Sequence, residues 1–113
     1  MTDTIFQKII NKEINADIIY EDEKSLVFRD INPVAPTHLL IIPKKQIEKI
    51  SDANEEDKDL LGHLFLVAGK VAKDLGIENA FRLVVNNGAG AQQTVFHLHI
   101  HLLADREFTW PPG

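Results

Sequence analysis

A chain of 113 residues with 44% hydrophobic content can build one domain with its own core over residues 1–113, and is too short for two. Seventeen acidic residues against 12 basic ones, a net charge of −5, argue against a long nucleic-acid footprint, so an anionic ligand must be held by local donors. With no cysteine, no basic stretch in Met1-Thr2-Asp3-Thr4 and no purely apolar run longer than Leu64 to Ala68, the expectation is a cytoplasmic protein without a disulfide scaffold, signal peptide or membrane span.

In chain order, Ile5, Phe6, Ile9 and Ile10 share one helical face, which predicts a short packing helix after a polar start. A polar turn over 11–15 follows. Ile18-Ile19-Tyr20 and Ser25-Leu26-Val27-Phe28-Arg29 read as the strands of a hairpin joined by Glu21-Asp22-Glu23-Lys24. The segment from Asp30 to His38 cannot be strand interior, because Pro33 and Pro36 lack backbone donors and restrict the residues before them. It is expected to be a shaped loop with Asp30 and His38 at its ends. Leu39-Leu40-Ile41-Ile42 is a short apolar strand stopped by Pro43, and the lysine pair Lys44-Lys45 reads as solvation.

Residues Ser51 to Asp57 offer capping side chains and first-turn carboxylates for a long helix. Its apolar stripe is Leu61, Leu64, Phe65, Ala68, Val71, Ala72 and Leu75, and Gly76 stands where a left-handed terminating residue belongs. Gly62 and Gly69 either permit close approach of another backbone or are simply tolerated, and His63 reads as structural. Phe81 to Val85 is a further strand. It runs into Asn86-Asn87-Gly88-Ala89-Gly90-Ala91-Gln92-Gln93, where Asn-Gly signals a turn between antiparallel strands. The same loop can present amides and backbone N–H groups to a phosphate.

Thr94 to Leu103 holds three of the five histidines, with His97, His99 and His101 alternating with Leu98, Ile100 and Leu102. Strict alternation reads as a β-strand with an apolar face and an imidazole face. At roughly 3.3 Å per residue, adjacent rings would stand ~6.6 Å apart and the outer pair ~13 Å apart. One zinc ion could reach two of them and hardly all three, and no cysteine or His-Glu-x-x-His helix completes a site. Metal-free chemistry is therefore expected: one ring reacts while its neighbours fix its tautomer and orientation. A solvated or pH-sensitive sheet face is the alternative.

The order Gln93-Thr94-Val95-Phe96-His97-Leu98-His99-Ile100-His101-Leu102-Leu103 resembles the signature of the histidine triad superfamily. Asp30-Ile31-Asn32-Pro33-Val34-Ala35-Pro36-Thr37-His38, the Asn86 loop and the terminal Trp110-Pro111-Pro112-Gly113 resemble its branch of histidine triad nucleotide-binding (HINT) proteins. The resemblance runs from Asp3 to Gly113 and implies an α+β fold: a five-stranded, mainly antiparallel sheet with one long and one short helix. It implies a homodimer with a ten-stranded sheet, the long helix at the interface and the Trp110 tail reaching toward the partner's site.

The activity implied is that of a purine nucleoside phosphoramidase, which cleaves the P–N bond of adenosine or guanosine phosphoramidates, accepts aminoacyl-adenylates and needs no cofactor or metal. By the same resemblance His99 is the nucleophile and forms a nucleotidyl-histidine intermediate. His97, His101 and His38 orient it, bear charge on the phosphate and relay a proton. Thr94 donates to a phosphoryl oxygen or the leaving group, Gln93 and Asn86 contact phosphate, and Asp30 accepts from ribose hydroxyls. Ile5, Phe6, Ile9, Phe28 and Ile31 form the slot for the base. Gln92 and Ala104-Asp105 depart from the family's usual glycines, so that Gln92 would crowd the phosphate path and Asp105, if turned inward, would repel an anion. The competing classes are a nucleotide-binding module without turnover, a dinucleoside polyphosphate hydrolase and a zinc protein.

Overall fold

The computed structural model describes residues 3–113. Helix α1 spans Ile5–Ile10 and is capped by Thr4, whose hydroxyl accepts the Gln7 N–H at 3.1 Å; Phe6 and Ile9 are its buried residues. Strands β1 (Ile18–Glu21) and β2 (Ser25–Arg29) form the expected antiparallel hairpin, with a register irregularity between Ile18 and Tyr20. Asp22 closes its turn by accepting the Lys24 and Ser25 N–H groups at 2.8 and 2.7 Å.

Strand β3 (Thr37–Pro43) is buried along its whole length, as the middle strand of a sheet should be. Helix α2 (Lys58–Asp74) follows a capping box in which Asn54 accepts from Glu56 and Asp57 accepts from Asn54. It ends, as expected, at Gly76 with φ of +72°. Strands β4 (Phe81–Val84) and β5 (Ile100–Ala104) complete a five-stranded antiparallel sheet in the order β1-β2-β3-β5-β4. This is the α+β arrangement implied by the resemblance. Among the described residues no helix is long and apolar enough to cross a membrane.

The sheet has an apolar cluster on each face. Val27, Leu39, Ile41, Ile100 and Leu102 pack with Leu64, Val67, Ala68 and Val71 of α2. On the other face Leu26, Phe28, Leu40 and Ile42 pack with Phe6 and Ile9 of α1. The stripe of α2 differs from the expected one: Val67 is buried, whereas Phe65 is 52% exposed and Leu66 is 76% exposed. The face turned to the sheet is thus rotated by part of a turn, and a second apolar strip is left outside. A Cβ at Gly62 or Gly69 would meet nothing within 4 Å in this chain.

Two further expectations are corrected. Lys44 and Lys45 are not merely solvated: Lys44 pairs with Glu21 at 2.8 Å, and Lys45 with the buried Asp57 at 2.5 Å. The link from β4 to β5 is not a tight Asn-Gly turn but a stretch over 85–99 containing one 3₁₀ turn, Ala89–Ala91. Gln92, in the left-handed region at φ +68°, ends that turn.

Candidate active site

The expected histidine strand is regular only from Ile100. Its ladder with β3 stops at Ile41 opposite Ile100, because Pro43 has no N–H to give and its carbonyl accepts the Nε2–H of His97 at 2.7 Å. Residues 93–99 are held instead by the Leu98 N–H on the Ile47 carbonyl at 2.6 Å and by Gln93. The fully buried Gln93 amide donates to the Glu48 and Val95 carbonyls at 2.7 and 3.0 Å and accepts the Gly88 N–H at 2.8 Å. Both of its donors are therefore spent on holding the loop rather than facing a phosphate. Asn87 fastens the loop's other end by accepting the Ser51 N–H at 2.9 Å.

The three histidines consequently occupy three environments. His97 is sealed in the interior with no exposure, and its Nδ1 has no hydrogen-bond partner. His99 donates from Nδ1 to the His97 carbonyl at 2.7 Å, which leaves Nε2 as a bare lone pair. His101 belongs to β5, and its ring centroid stands 5.0 Å from that of His99. Phe6 packs edge-to-face with the His99 ring at a centroid separation of 5.0 Å.

His38 joins this group from β3. The Val34 N–H, which can only donate, points at His38 Nδ1 at 3.1 Å, so the ring hydrogen must sit on Nε2. That nitrogen lies 2.9 Å from His101 Nδ1, which must accept, and His101 is left with its own hydrogen on Nε2. A backbone amide thus sets two tautomers in series and delivers one N–H donor at His101.

Burial, the largest effect on each ring, holds His38, His97 and His99 below the usual imidazole value. His101 is pushed down to about 4 by burial and by its neighbours His99 and His38. The Asp30 carboxylate opposes the burial effect at His38, His99 and His101 without overcoming it. All four rings are neutral at pH 7.

A cavity of about 260 Å³ opens beside them between α1 and the sheet. The structure brings Ile5, Phe6, Ile9, Phe28, Asp30, Ile31, Thr94, His99 and His101 together in its lining. Asn86, Gln93, His38, His97 and Trp110 are not part of that lining; His38 is buried behind His101. The tail ahead of Trp110 lies at the β4 edge: Phe108 is flanked by the guanidinium groups of Arg82 and Arg106, at 4.8 and 4.4 Å from its ring centre, and Trp110 is 83% exposed. Ile14, Asn15, Ala16, Arg29, Asn32, Leu40 and Val95 also line the cavity and were not expected there; the Arg29 guanidinium pairs with Asp17 at 3.3 Å. The signal for the first group was Ile14, an apolar residue inside an otherwise polar turn.

Asp105 does not point at an anion. Its carboxylate accepts the Thr37 hydroxyl at 2.5 Å, and Thr37 lies on the α2 face of the sheet while the next residue, His38, lies on the α1 face.

The HIT domain family matches residues 11–108. The chain belongs to the HIT family. Among curated relatives it is 60% identical over 111 residues, 98% of this chain and 97% of the other, to an uncharacterized HIT-like protein of Synechocystis. It is 52% identical over 112 residues, 97% of this chain and 88% of the other, to a 14 kDa zinc-binding protein of Zea mays. Among solved structures, a HIT family hydrolase from Legionella pneumophila superposes with TM-score 0.95 at 48% identity, covering 98% of this chain and 100% of that one. A histidine triad nucleotide-binding protein from Candida albicans gives TM-score 0.83 at 32% identity over 98% of this chain and 85% of that one.

The name of the maize protein raises the question of a cation. Asp30, His38 and His101 offer ligand atoms within 4.8 Å of one another, but their chemistry does not fit one. To ligate through Nε2, His38 would have to carry its hydrogen on Nδ1, directly against the Val34 N–H. The 2.9 Å between the two imidazole nitrogens is a hydrogen-bond distance. Tetrahedral zinc with bonds of about 2.0–2.1 Å would separate them by roughly 3.3–3.4 Å.

Proposed function

We propose that this HIT protein is a purine nucleoside phosphoramidase that cleaves the P–N bond of nucleoside 5′-phosphoramidates, and also aminoacyl-adenylates, through a nucleotidyl-histidine. The observation that supports it most is the His99 ring, held by the His97 carbonyl with a neutral Nε2 lone pair at the cavity. Imidazole is a competent nucleophile only in that form.

In this reading the purine enters between Ile5, Phe6, Ile9, Phe28 and Ile31, where burial and stacking accept adenine and guanine alike. His99 Nε2 forms a bond to phosphorus as the P–N bond breaks. The electron pair stays on the departing nitrogen, which leaves as an amine with a proton from solvent, passed directly or through the Thr94 hydroxyl, which takes up a solvent proton as it gives its own. The positive charge left on the ring is stabilised at Nδ1–H by the His97 carbonyl. His101 Nε2–H bonds a phosphoryl oxygen as an aimed dipole. Water then attacks phosphorus, His99 leaves neutral, and the nucleoside monophosphate is released with the remaining proton lost to solvent.

Because Gln93 spends its amide on the loop, it serves by shaping 86–93, and Asn86 contacts phosphate only once a ligand is seated. We take the protein to be a cytoplasmic homodimer. The unpaired outer edge of β4 and the exposed Phe65 and Leu66 of α2 support a sheet continued into a second copy. The Trp110 tail of each copy would then lie toward the other's cavity.

A fluorogenic adenosine 5′-phosphoramidate tests this. Turnover that disappears in His99→Ala is expected. AMP binding without turnover in the native protein would make it a nucleotide-binding module instead, and hydrolysis confined to dinucleoside polyphosphates would move it to that class.

A further inference from the structure

His38 has a single ring hydrogen and two acceptors near it. The hydrogen is on Nε2, which stands 2.9 Å from His101 Nδ1 and 3.4 Å from Asp30 Oδ2. The carboxylate is fixed there: Asp30 Oδ1 accepts the Asn32 N–H at 2.8 Å, and the Asp30 N–H donates to the His38 carbonyl at 3.0 Å. Oδ2 is its free oxygen. Asp30 also supplies the one carboxylate in the lining of the cavity, beside His99 and His101. The vicinal diol of a ribose is the part of a nucleotide that suits such an acceptor, since hydroxyls donate and an ionised carboxylate only accepts.

We propose that Asp30 couples sugar recognition to the chemical step. When ribose hydroxyls donate to Oδ2, that oxygen no longer competes for the His38 hydrogen, which then serves His101 Nδ1 alone. Hydrogen bonds in series polarise one another, so the His101 Nε2–H becomes a stronger donor toward the phosphoryl group. Asp30 touches the sugar and not the reacting atoms; with respect to the reaction it is a positioning residue. The inference rests on the nucleotide hydrolase reading above. Its consequence is that ribose hydroxyls raise kcat as well as lowering KM, whereas a carboxylate that only bound the sugar would change KM alone.

The test compares adenosine and 2′-deoxyadenosine 5′-phosphoramidates at saturation, with native protein and Asp30→Asn. The native kcat is expected to fall about 5-fold or more without the hydroxyl, the scale of an ordinary coupling between two sites. In Asp30→Asn the ribo-to-deoxy kcat ratio should collapse to near one. Equal kcat for the two sugars in the native protein, with KM alone changed, overturns the coupling. The ¹⁵N signals of the His38 and His101 ring nitrogens give a readout without turnover. Both nucleotides should move the His101 signals through the phosphate, but AMP should move the His38 Nε2 signal further than 2′-deoxy-AMP does, and equal movement of His38 by both overturns the inference. If neither phosphoramidate is turned over, the hydrolase reading fails by itself and the ring signals still decide the coupling.

Discussion

The two faces of the sheet are built from the same strands and do opposite things with them. On the α2 face, Val27, Leu39, Ile41, Leu64, Val71 and Leu102 make a closed apolar core. One residue along each strand, on the α1 face, β3 presents His38 and β5 presents His101, and the packing is left open as a cavity. The buried imidazoles there are costly, because desolvation depresses all four. The contrast shows stability invested on one side and chemistry on the other, with a strand's two-residue period keeping them apart.

The sharpest way to break that division is to remove one atom group from each side. His99→Ala takes away the proposed nucleophile, and turnover should drop about ten-thousand-fold or more, the scale seen when a covalent nucleophile is lost. Its unfolding midpoint should change little by comparison. Leu64→Ala opens a cavity at a fully buried position against β3 and should cost about 2–5 kcal/mol in urea titration. Turnover per folded molecule should stay near native. If Leu64→Ala abolished turnover in the folded protein, the two faces would be coupled and the division lost.

How much of this was legible follows the same line. The helix face was readable because packing imposes a period: Leu39–Ile42 of β3, the caps at Asn54 and the stop at Gly76 stand where residue type and spacing put them, although β3 also takes in Thr37, His38 and Pro43, which were expected in the loop before it and at its stop. The exceptions were Phe65 and Leu75, both exposed, since periodicity fixes a stripe's width but not which edge turns inward. The catalytic face was readable as a set of residues and not as a geometry. The alternation suggested one regular strand with all three rings on one face, and the structure breaks that strand, because Pro43 ends the ladder and captures His97. Nothing in the order of residues announces that a proline carbonyl 54 positions away will accept that hydrogen bond. Gln93, matched to a phosphate contact, turned inward for the same reason: carbonyls of Glu48 and Val95, one of them distant in sequence, satisfy its amide.

A pH titration sharpens the comparison without mutation. A histidine whose native pKa is depressed takes up its proton more readily in the unfolded chain, so acid favours unfolding. The stability tied to these rings is complete above the ordinary imidazole value near 6.5 and is lost as pH falls toward about 4, where His101 titrates. Beside α2, burial works against the charge of Asp22, but hydrogen bonds from Tyr20, the Lys24 backbone, His63 and Ser25 outweigh it and hold the carboxyl well below its usual range. Its contribution is lost only at lower pH, below the ordinary carboxylate value. Urea midpoints measured from pH 7.5 to 3 should therefore fall in two stages, the first from the cavity face and the second from the helix side. The acid limb of turnover should lie below pH 6.5, because His99 is also depressed.

The smallest effects concern two positions where the chain departs from glycine, and they should differ from each other. Gln92 and Asp105 both have φ of +68°, a conformation that costs an L side chain roughly 1–2 kcal/mol. Gln92 is exposed and its side chain makes no hydrogen bond, so Gln92→Gly should recover about 1 kcal/mol. Asp105 offsets the same backbone cost with its bond to the Thr37 hydroxyl at 2.5 Å. Asp105→Gly relieves the strain but removes a charge-assisted bond of roughly 1.5 kcal/mol or more, leaving stability unchanged or slightly lower. Urea denaturation of the two variants side by side measures the difference, and equal stabilisation by both would show that the Thr37 bond holds nothing. Because Thr37 precedes His38 on β3, the bond also ties the outer end of β5 to the strand that presents His38. Asp105→Gly should then lower turnover by a few-fold at most, whereas Gln92→Gly, which reaches neither ring, should not.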